Sequence, residues 1–454
     1  MLKRILLVAA LAVSGLTLVA KAAESPAQLF TDVSQSLARL EFTYANDIVG
    51  SQKRGGQAIC VDEAKGIFIT FDVPSGVPAE ELKDFTLTSP GTSGTSIKAD
   101  FIGVDPEQGL GFIQAAEKHG FKAAKLDLAP VLEVGQDVYS VGLLGVQMGS
   151  SPYLGAAKIS AGLRTPGRIC MVTGGDLCIV SSPVFNSEGK VIGLIAQQLV
   201  MEYRLRTNEG QADVGLTGTQ STRFFTPMSE FASQLNPLPT KGNMRKLPWL
   251  GVFQLKSPPP TEADVLGLAG KGAVMVGQLL PGGVGEKAGL KQGDPIIAVN
   301  GKPVEMLSTP ELTEAAFIQK LWQFKPGDKV TFTIFRDKAA KDISLTLEPF
   351  PATEAKRYYN QKLGLAVREL TLFDRYGSGR TMPMETQGVL VLVAAQGSPS
   401  AKAGLKAGDL VTQLNDKPVT NAADIENLIK AAGKNDLKFQ VIRGDKPEIV
   451  VIRP

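Results

Sequence analysis

Side-chain catalysis in this chain has a short inventory to draw on. Its 454 residues include one histidine, His119, and three cysteines, Cys60, Cys170 and Cys178; Ser181 and Ser182 lie just beyond the last cysteine. Hydrolysis through a covalent intermediate needs an alcohol or thiol, a base within hydrogen-bond reach and a group that orients the base. Cys178, Ser181 and Ser182 are candidate nucleophiles, of which the thiol has the better intrinsic chance. His119 lies in Glu117-Lys-His-Gly120, which reads as a solvent-exposed turn rather than a base. A Ser–Lys pairing would need a lysine that the sequence does not single out. Without a base, the two hydroxyls read as a polar loop that satisfies nearby backbone.

Other chemistry finds less support. One distant histidine and this cysteine spacing form no recognisable zinc set, so no metal is expected. Gly251 and Gly364 open no phosphate-binding fingerprint, and no cofactor is expected. Asp105, Glu107 and Asp127 read as strand-edge or turn charges rather than a paired-carboxylate site. Cys170 and Cys178 are close enough to pair across a short loop if the chain is exported. Their apolar neighbours favour three small core residues instead.

These residues must be positioned by a larger frame, for which the length suggests roughly three domains. Met1-Leu-Lys-Arg4, an apolar run from Ile5 to Val19 and Ala20-Lys-Ala22 read as a signal peptide over residues 1–22, cleaved after Ala22. Its removal takes away Lys3, Arg4 and Lys21 and leaves 45 basic against 45 acidic residues. That near-neutral chain has no basic tract, so nucleic acid is not an expected partner. Leu29, Phe30, Val33, Leu37 and Leu40 are spaced for a helix over Gln28–Leu40. Onward to about Leu238, short β-rich runs alternate with Gly, Pro and Asp turns, among them Gly66–Thr70, Asp137–Val141 and Lys190–Ile195. Many short strands without regular helices indicate a barrel or sandwich. Asn236-Pro-Leu-Pro239 reads as the exit to a linker.

The remainder repeats itself at an offset of 115 residues. Gly289-Leu-Lys-Gln-Gly-Asp294 returns as Gly404-Leu-Lys-Ala-Gly-Asp409, and Asn300-Gly-Lys-Pro-Val304 as Asn415-Asp-Lys-Pro-Val419. Two blocks in register indicate a duplicated domain. Each copy has one later helix, N-capped by Thr309 before Pro310 and by Asn421 before Ile425, Leu428 and Ile429.

With Pro281–Asp294 and Ile296–Gly301, the copies resemble the PDZ domains of the HtrA/Deg serine protease family. The family's carboxylate-binding loop falls on Trp249, Leu250, Gly251 and Val252 in the first copy, and on Lys362, Leu363, Gly364 and Leu365 in the second. Glycine there lets backbone N–H groups approach a terminal carboxylate, and the strand that follows accepts an extended peptide. Packing against the rest of the molecule, with the groove blocked, is the competing use. The segment from Pro26 to Leu238 resembles the family's trypsin-like double β-barrel, through Gly66–Thr70, Asp105-Pro106, Val134–Gly142, Ser182-Pro183 and Gly189–Gly193.

On that resemblance the triad positions fall on Val73 for histidine, Gly109 for aspartate and Val180 for serine. The glycine-rich nucleophile loop has become Cys178-Ile-Val-Ser-Ser-Pro183. Valine neither donates nor accepts a proton, and loss of the loop glycines undermines the backbone oxyanion site. The expected architecture is mainly β: a signal peptide (1–22), a degenerate trypsin-like double β-barrel domain (26–238) and two PDZ-like α/β domains (248–350 and 360–454). The expected function is a non-catalytic peptide- or protein-binding scaffold of the periplasm or cell envelope, recognising peptides or protein C-termini. An envelope serine endopeptidase with an unorthodox active site is the alternative, as is an inert structural partner of an active protease homologue. The resemblance also allows a homo-oligomer, a trimer through the barrel domain.

Overall fold

The computed structural model describes residues 25–46, 50–91, 94–164, 167–196, 202–207, 210–215, 224–376, 382–444 and 446–453. Residues 1–22, read from the sequence as a signal peptide, lie outside the described residues. The chain opens with helix α1 (Pro26–Ser34), where the Ser25 side chain accepts the Gln28 N–H. The helical spacing predicted a longer element, but the chain turns into a strand at Leu37. Leu37 joins the core between the barrels, while Ala38, Leu40 and Phe42 alternate into the first barrel. Their period of two and the pairing with the next strand outweigh the helical spacing.

The first closed barrel contains β1 (Leu37–Asn46), β2 (Gly50–Asp62), β3 (Ile67–Thr70), β4 (Leu82–Thr88), β5 (Ser96–Val104) and β6 (Gly111–Ala115). The second contains β7 (Asp137–Leu143), β8 (Pro152–Arg164), β9 (Arg168–Thr173), β10 (Pro183–Phe185), β11 (Val191–Leu194) and, beyond a ribbon of β12 (Glu202–Thr207) and β13 (Gly210–Gly215), β14 (Phe224–Pro227). Closure leaves a barrel without sheet edges and gives each its own interior. A further cluster fuses the two barrels: Leu29 and Val33 of α1 meet Phe112, Phe185, Met228 and Phe231. Each such side chain contributes about 2–3 kcal/mol by leaving water. The short helix α2 (Ala232–Leu235) ends the domain.

The segment beyond folds over the first barrel. Arg245 pairs with the half-buried Glu107 and lies 3.5 Å from the buried Asp105. These two are turn charges as the sequence suggested, Asp105 Oδ1 accepting the Glu107 and Gln108 N–H groups; their cation, from about 140 positions away, is what no local pattern reveals. Burial holds the Glu107 carboxyl above its ordinary range, opposed by Arg245.

The first PDZ copy contains β15 (Pro248–Trp249), β16 (Leu255–Lys256), α3 (Pro260–Val265), β17 (Val274–Val276), α4 (Val284–Lys287), β18 (Pro295–Val299), β19 (Lys302–Pro303), α5 (Pro310–Leu321), β20 (Lys329–Arg336), β21 (Ala339–Thr346) and β22 (Glu348–Pro349). The second contains β23 (Arg357–Asn360), β24 (Leu365–Glu369), α6 (Leu372–Tyr376), β25 (Val389–Ala394), α7 (Pro399–Ala403), β26 (Leu410–Leu414), β27 (Lys417–Pro418), α8 (Ala422–Ala432), β28 (Leu437–Arg443) and β29 (Lys446–Ile452). Thr309 caps α5, and Asn421 caps α8 in a reciprocal capping box with Asp424. The repeated Asp294 and Asp409 take matching arginines, Arg336 and Arg443, whose Nε atoms lie 2.7 Å from the carboxylates. The repeated Asn300 and Asn415 adopt left-handed backbone, and each side chain accepts an N–H from the adjacent strand, at Thr331 and Lys438.

Candidate functional site

The end of β3 and the loop from Cys178 to Pro183 meet at the junction of the two barrels. Val73 is 2% exposed and lies within the apolar interior of the first barrel. Gly109 occupies a left-handed turn, φ +69°, whose N–H donates to Asp105 O at 2.9 Å. The Val180 carbonyl accepts from Gln57 Nε2 at 3.1 Å. Gln57 Nε2 also donates to Ser182 Oγ, and Gln57 Oε1 accepts the Leu143 N–H at 2.9 Å.

Ser181 stands in left-handed backbone at φ +66° and is 1% exposed. Its Oγ accepts the Phe71 N–H at 2.8 Å and bonds to the Asp72 carboxyl. Asp72 also accepts the Gln57 N–H at 2.9 Å. Burial pushes its carboxyl above the ordinary range, against the opposing pull of these hydrogen bonds. The Thr70 hydroxyl donates to Gln57 O at 2.7 Å and accepts the Asp72 N–H at 3.0 Å. A polar clasp of Gln57, Thr70, Asp72, Ser181 and Ser182 therefore ties the first barrel to the second.

Cys178 faces inward. Its N–H donates to Ser140 Oγ at 2.8 Å, and its thiol reaches Ser140 O and Tyr153 O at 3.4 and 3.5 Å. Burial pushes the thiol up, away from the thiolate. Gly142 makes room for it: a Cβ at that position would lie 2.8 Å from Cys178 Cβ. The three cysteines are buried and unpaired, so Cys170 and Cys178 form no disulfide.

His119 is not a solvent-exposed turn residue. It is half-buried against Phe68 and Phe121, with ring centroids 5.8 and 5.9 Å away. The Lys118–Phe121 segment folds back on β3, a long-range contact that its charged neighbours do not signal. It sits beside Gly66, at the opposite end of β3 from Thr70. Beside the clasp runs an open cleft of about 390 Å³ lined by Arg39, Lys53, Arg54, Leu143 and Ile179.

The two expected carboxylate loops differ. In the first, the Trp249 indole N–H donates to Val252 O at 2.8 Å, and Gly251, at φ +80°, accepts the Leu280 N–H at 2.9 Å. The following strand β16 is the edge of its sheet, alongside α5. In the second, the Leu363 N–H donates to Asn360 Oδ1 at 3.0 Å and the Gly364 N–H to Gln361 O at 3.2 Å. Strand β24 is paired on both edges, with β23 and β25. Gly364 is required by close approach, because a Cβ there would lie 2.3 Å from Ser398 Cβ.

Sequence reasoning missed Gln57 and Asp72, which carry no motif. It also missed β23, for which the aromatic pair Tyr358-Tyr359 before the loop was a usable strand signal.

The PDZ domain family model matches residues 269–347 and 362–453. A probable periplasmic serine endoprotease, DegP-like, from Pseudomonas fulva (strain 12-X) is 24% identical over 79% of this chain and 72% of its own length. A protein of the same description from Brucella suis biovar 1 (strain 1330) is 26% identical over 77% of this chain and 64% of its own. The chain is thus similar to DegP-like proteases, and the PDZ model matches two stretches of it. The HtrA-type protease AlgW, solved with a decapeptide, shares its fold at TM-score 0.53 and 16% identity, over 72% of this chain and 100% of the other. The same protease with a tripeptide gives 0.53 at 18% identity. The periplasmic relatives support an envelope location for this HtrA/DegP-like chain.

Proposed function

We propose that this chain is a non-catalytic, peptide-binding member of the HtrA/DegP-like proteins of the cell envelope. The observation that carries the reading is the clasp standing where the resemblance places a triad. Val73, Gly109 and Val180 supply no proton-transfer group, and the neighbouring hydroxyls of Ser181 and Ser182 are buried in bonds between the barrels. The Cys178 N–H, which an oxyanion would need unengaged, is committed to Ser140. The function left to the chain is capture of peptides or protein C-termini at the first PDZ groove, where β16 offers an edge. The peptide complexes of AlgW support that ligand class.

A second reading, an envelope serine endopeptidase with an unorthodox active site, is favoured by the serine endoprotease description of the relatives. A fluorophosphonate probe, a thiol probe and an unfolded protein substrate separate the two. The expected result is neither labelling nor cleavage. Cleavage that disappears in Ser181→Ala, Ser182→Ala or Cys178→Ala would overturn the non-catalytic reading. For the peptide site, C-terminal peptides should bind the full chain and lose affinity when their carboxylate is amidated.

A further inference from the structure

The second PDZ groove already contains a strand. Residues Arg357–Asn360 run antiparallel to β24, pairing Tyr358 with Val367 and Asn360 with Leu365. This is the edge on which an added peptide strand would lie. The strand also lies along α8, so it fills the space between β24 and that helix. Tyr358 packs against the domain's apolar core, as do Leu428 and Ile429 of α8. At the loop, Asn360 Oδ1 accepts the Leu363 N–H, the kind of donor a terminal carboxylate would engage.

The duplication shows that this closure is not a requirement of the fold. In the first copy, the strand before the loop, β15, pairs instead with β22, and β16 keeps an edge. Successive side chains on β23 face opposite ways. While Tyr358 plugs the groove, Tyr359 reaches the first barrel, where its hydroxyl donates to Glu81 Oε1 at 2.7 Å. Arg357 lies 3.7 Å from the same carboxylate, and its guanidinium reaches Gly76 O at 3.5 Å. Glu81 is buried and follows, eight positions on, the triad-matched Val73.

We propose that Arg357–Asn360 is a built-in occupant of the second PDZ groove, latched to the barrel domain through Glu81 and displaced by a protein C-terminus with an aromatic side chain two residues before its end. The ligand class rests on the peptide-binding reading above; the closure does not. An intramolecular occupant lowers apparent affinity by the fraction of time the groove stands open. Loosening the latch therefore increases binding without adding a contact to the ligand.

Hydrogen exchange on the full chain tests this, with a peptide ending Arg-Tyr-Tyr-Asn as free acid and as amide. The anchor variant combines Arg357→Ala with Tyr359→Phe, and Tyr358→Ala removes the plug. The expected result is slow exchange over 365–369 in the native chain and at least about tenfold faster exchange in the anchor variant. The free acid should restore protection, and the amide should not. Unchanged exchange over 365–369 in the anchor variant, or equal protection by acid and amide, overturns the proposal. If Tyr358→Ala also exposes 437–443, the plug variant has unfolded its domain and the anchor variant decides. Protection at 252–256 reports the first groove separately, so failure of the peptide-binding reading there is distinguishable from failure of the latch.

Discussion

Gln57 Nε2 donates to Ser182 Oγ at 2.5 Å across the junction of the two barrels. The same amide group holds the Val180 carbonyl and the Leu143 N–H, so one side chain of the first barrel satisfies three groups of the second. Removing it should be costly, because buried groups left without partners cost about 1–3 kcal/mol each. Gln57→Ala is expected to destabilise the barrel domain by about 3 kcal/mol. Trp249 and Trp322, the two tryptophans, lie in the first PDZ copy, so their fluorescence should hold its urea midpoint. Labelling of the barrel cysteines should shift to lower urea; coincident shifts of both signals would refute a local role.

Asp72 gives the clasp a pH dependence of calculable sign. Burial raises its folded pKa above the ordinary 3.8, so the folded state holds the proton more tightly than the unfolded one. Its contribution is most favourable below the unfolded value and is lost as pH rises through the folded one. Asp72→Asn keeps an acceptor for the Gln57 N–H and a polar partner for Ser181. It should raise stability at pH 7 and remove that slope. Denaturant melts of both forms across pH 3–8 check this, and parallel curves would rule it out.

The repeat, the helix caps and the strand-rich first half were legible because they depend on local signals: offset, capping residues and alternating hydrophobicity. Thr309 and Asn421 cap the helices that their positions suggested. The clasp was not legible. Gln57 and Ser182 are 125 positions apart, and each reads as an ordinary polar residue on its own strand or loop. The same holds for Tyr359 and Glu81, 278 positions apart. Leu37 and Leu40 fitted helical spacing as well as a strand, and pairing with β2 settled them.

The thiols should be inert while the barrels are folded. Burial pushes Cys60 up to about 12 and Cys170 to about 11, and raises Cys178 as well. At pH 8 their alkylation should be at least about a hundredfold slower than that of an exposed cysteine. Three equivalents should react in concentrated urea, as read by intact mass. Rapid modification of Cys178 in the folded chain would revive it as a nucleophile.

The two PDZ copies meet through aromatic rings. Phe253, just beyond the Trp249–Val252 loop, packs edge-on to Phe373 of α6 at 5.6 Å between centroids and stacks on Tyr376 at 5.4 Å. Trp249 of that loop lies 5.3 Å from Phe253, and Phe350 stacks on Phe373 at 5.4 Å. Phe373 therefore supports the first groove from the second domain. Its truncation removes the ring contacts without touching either carboxylate loop, at a cost of about 3 kcal/mol. Phe373→Ala should leave each PDZ copy folded yet loosen the joint. The 351–356 connector should be cut faster in limited proteolysis, and Trp249 emission should shift as water reaches its surroundings. Peptide affinity at the first groove should fall several-fold, because part of the binding energy would be spent reordering the loop. Unchanged proteolysis together with unchanged affinity would refute the support that Phe373 gives the first groove.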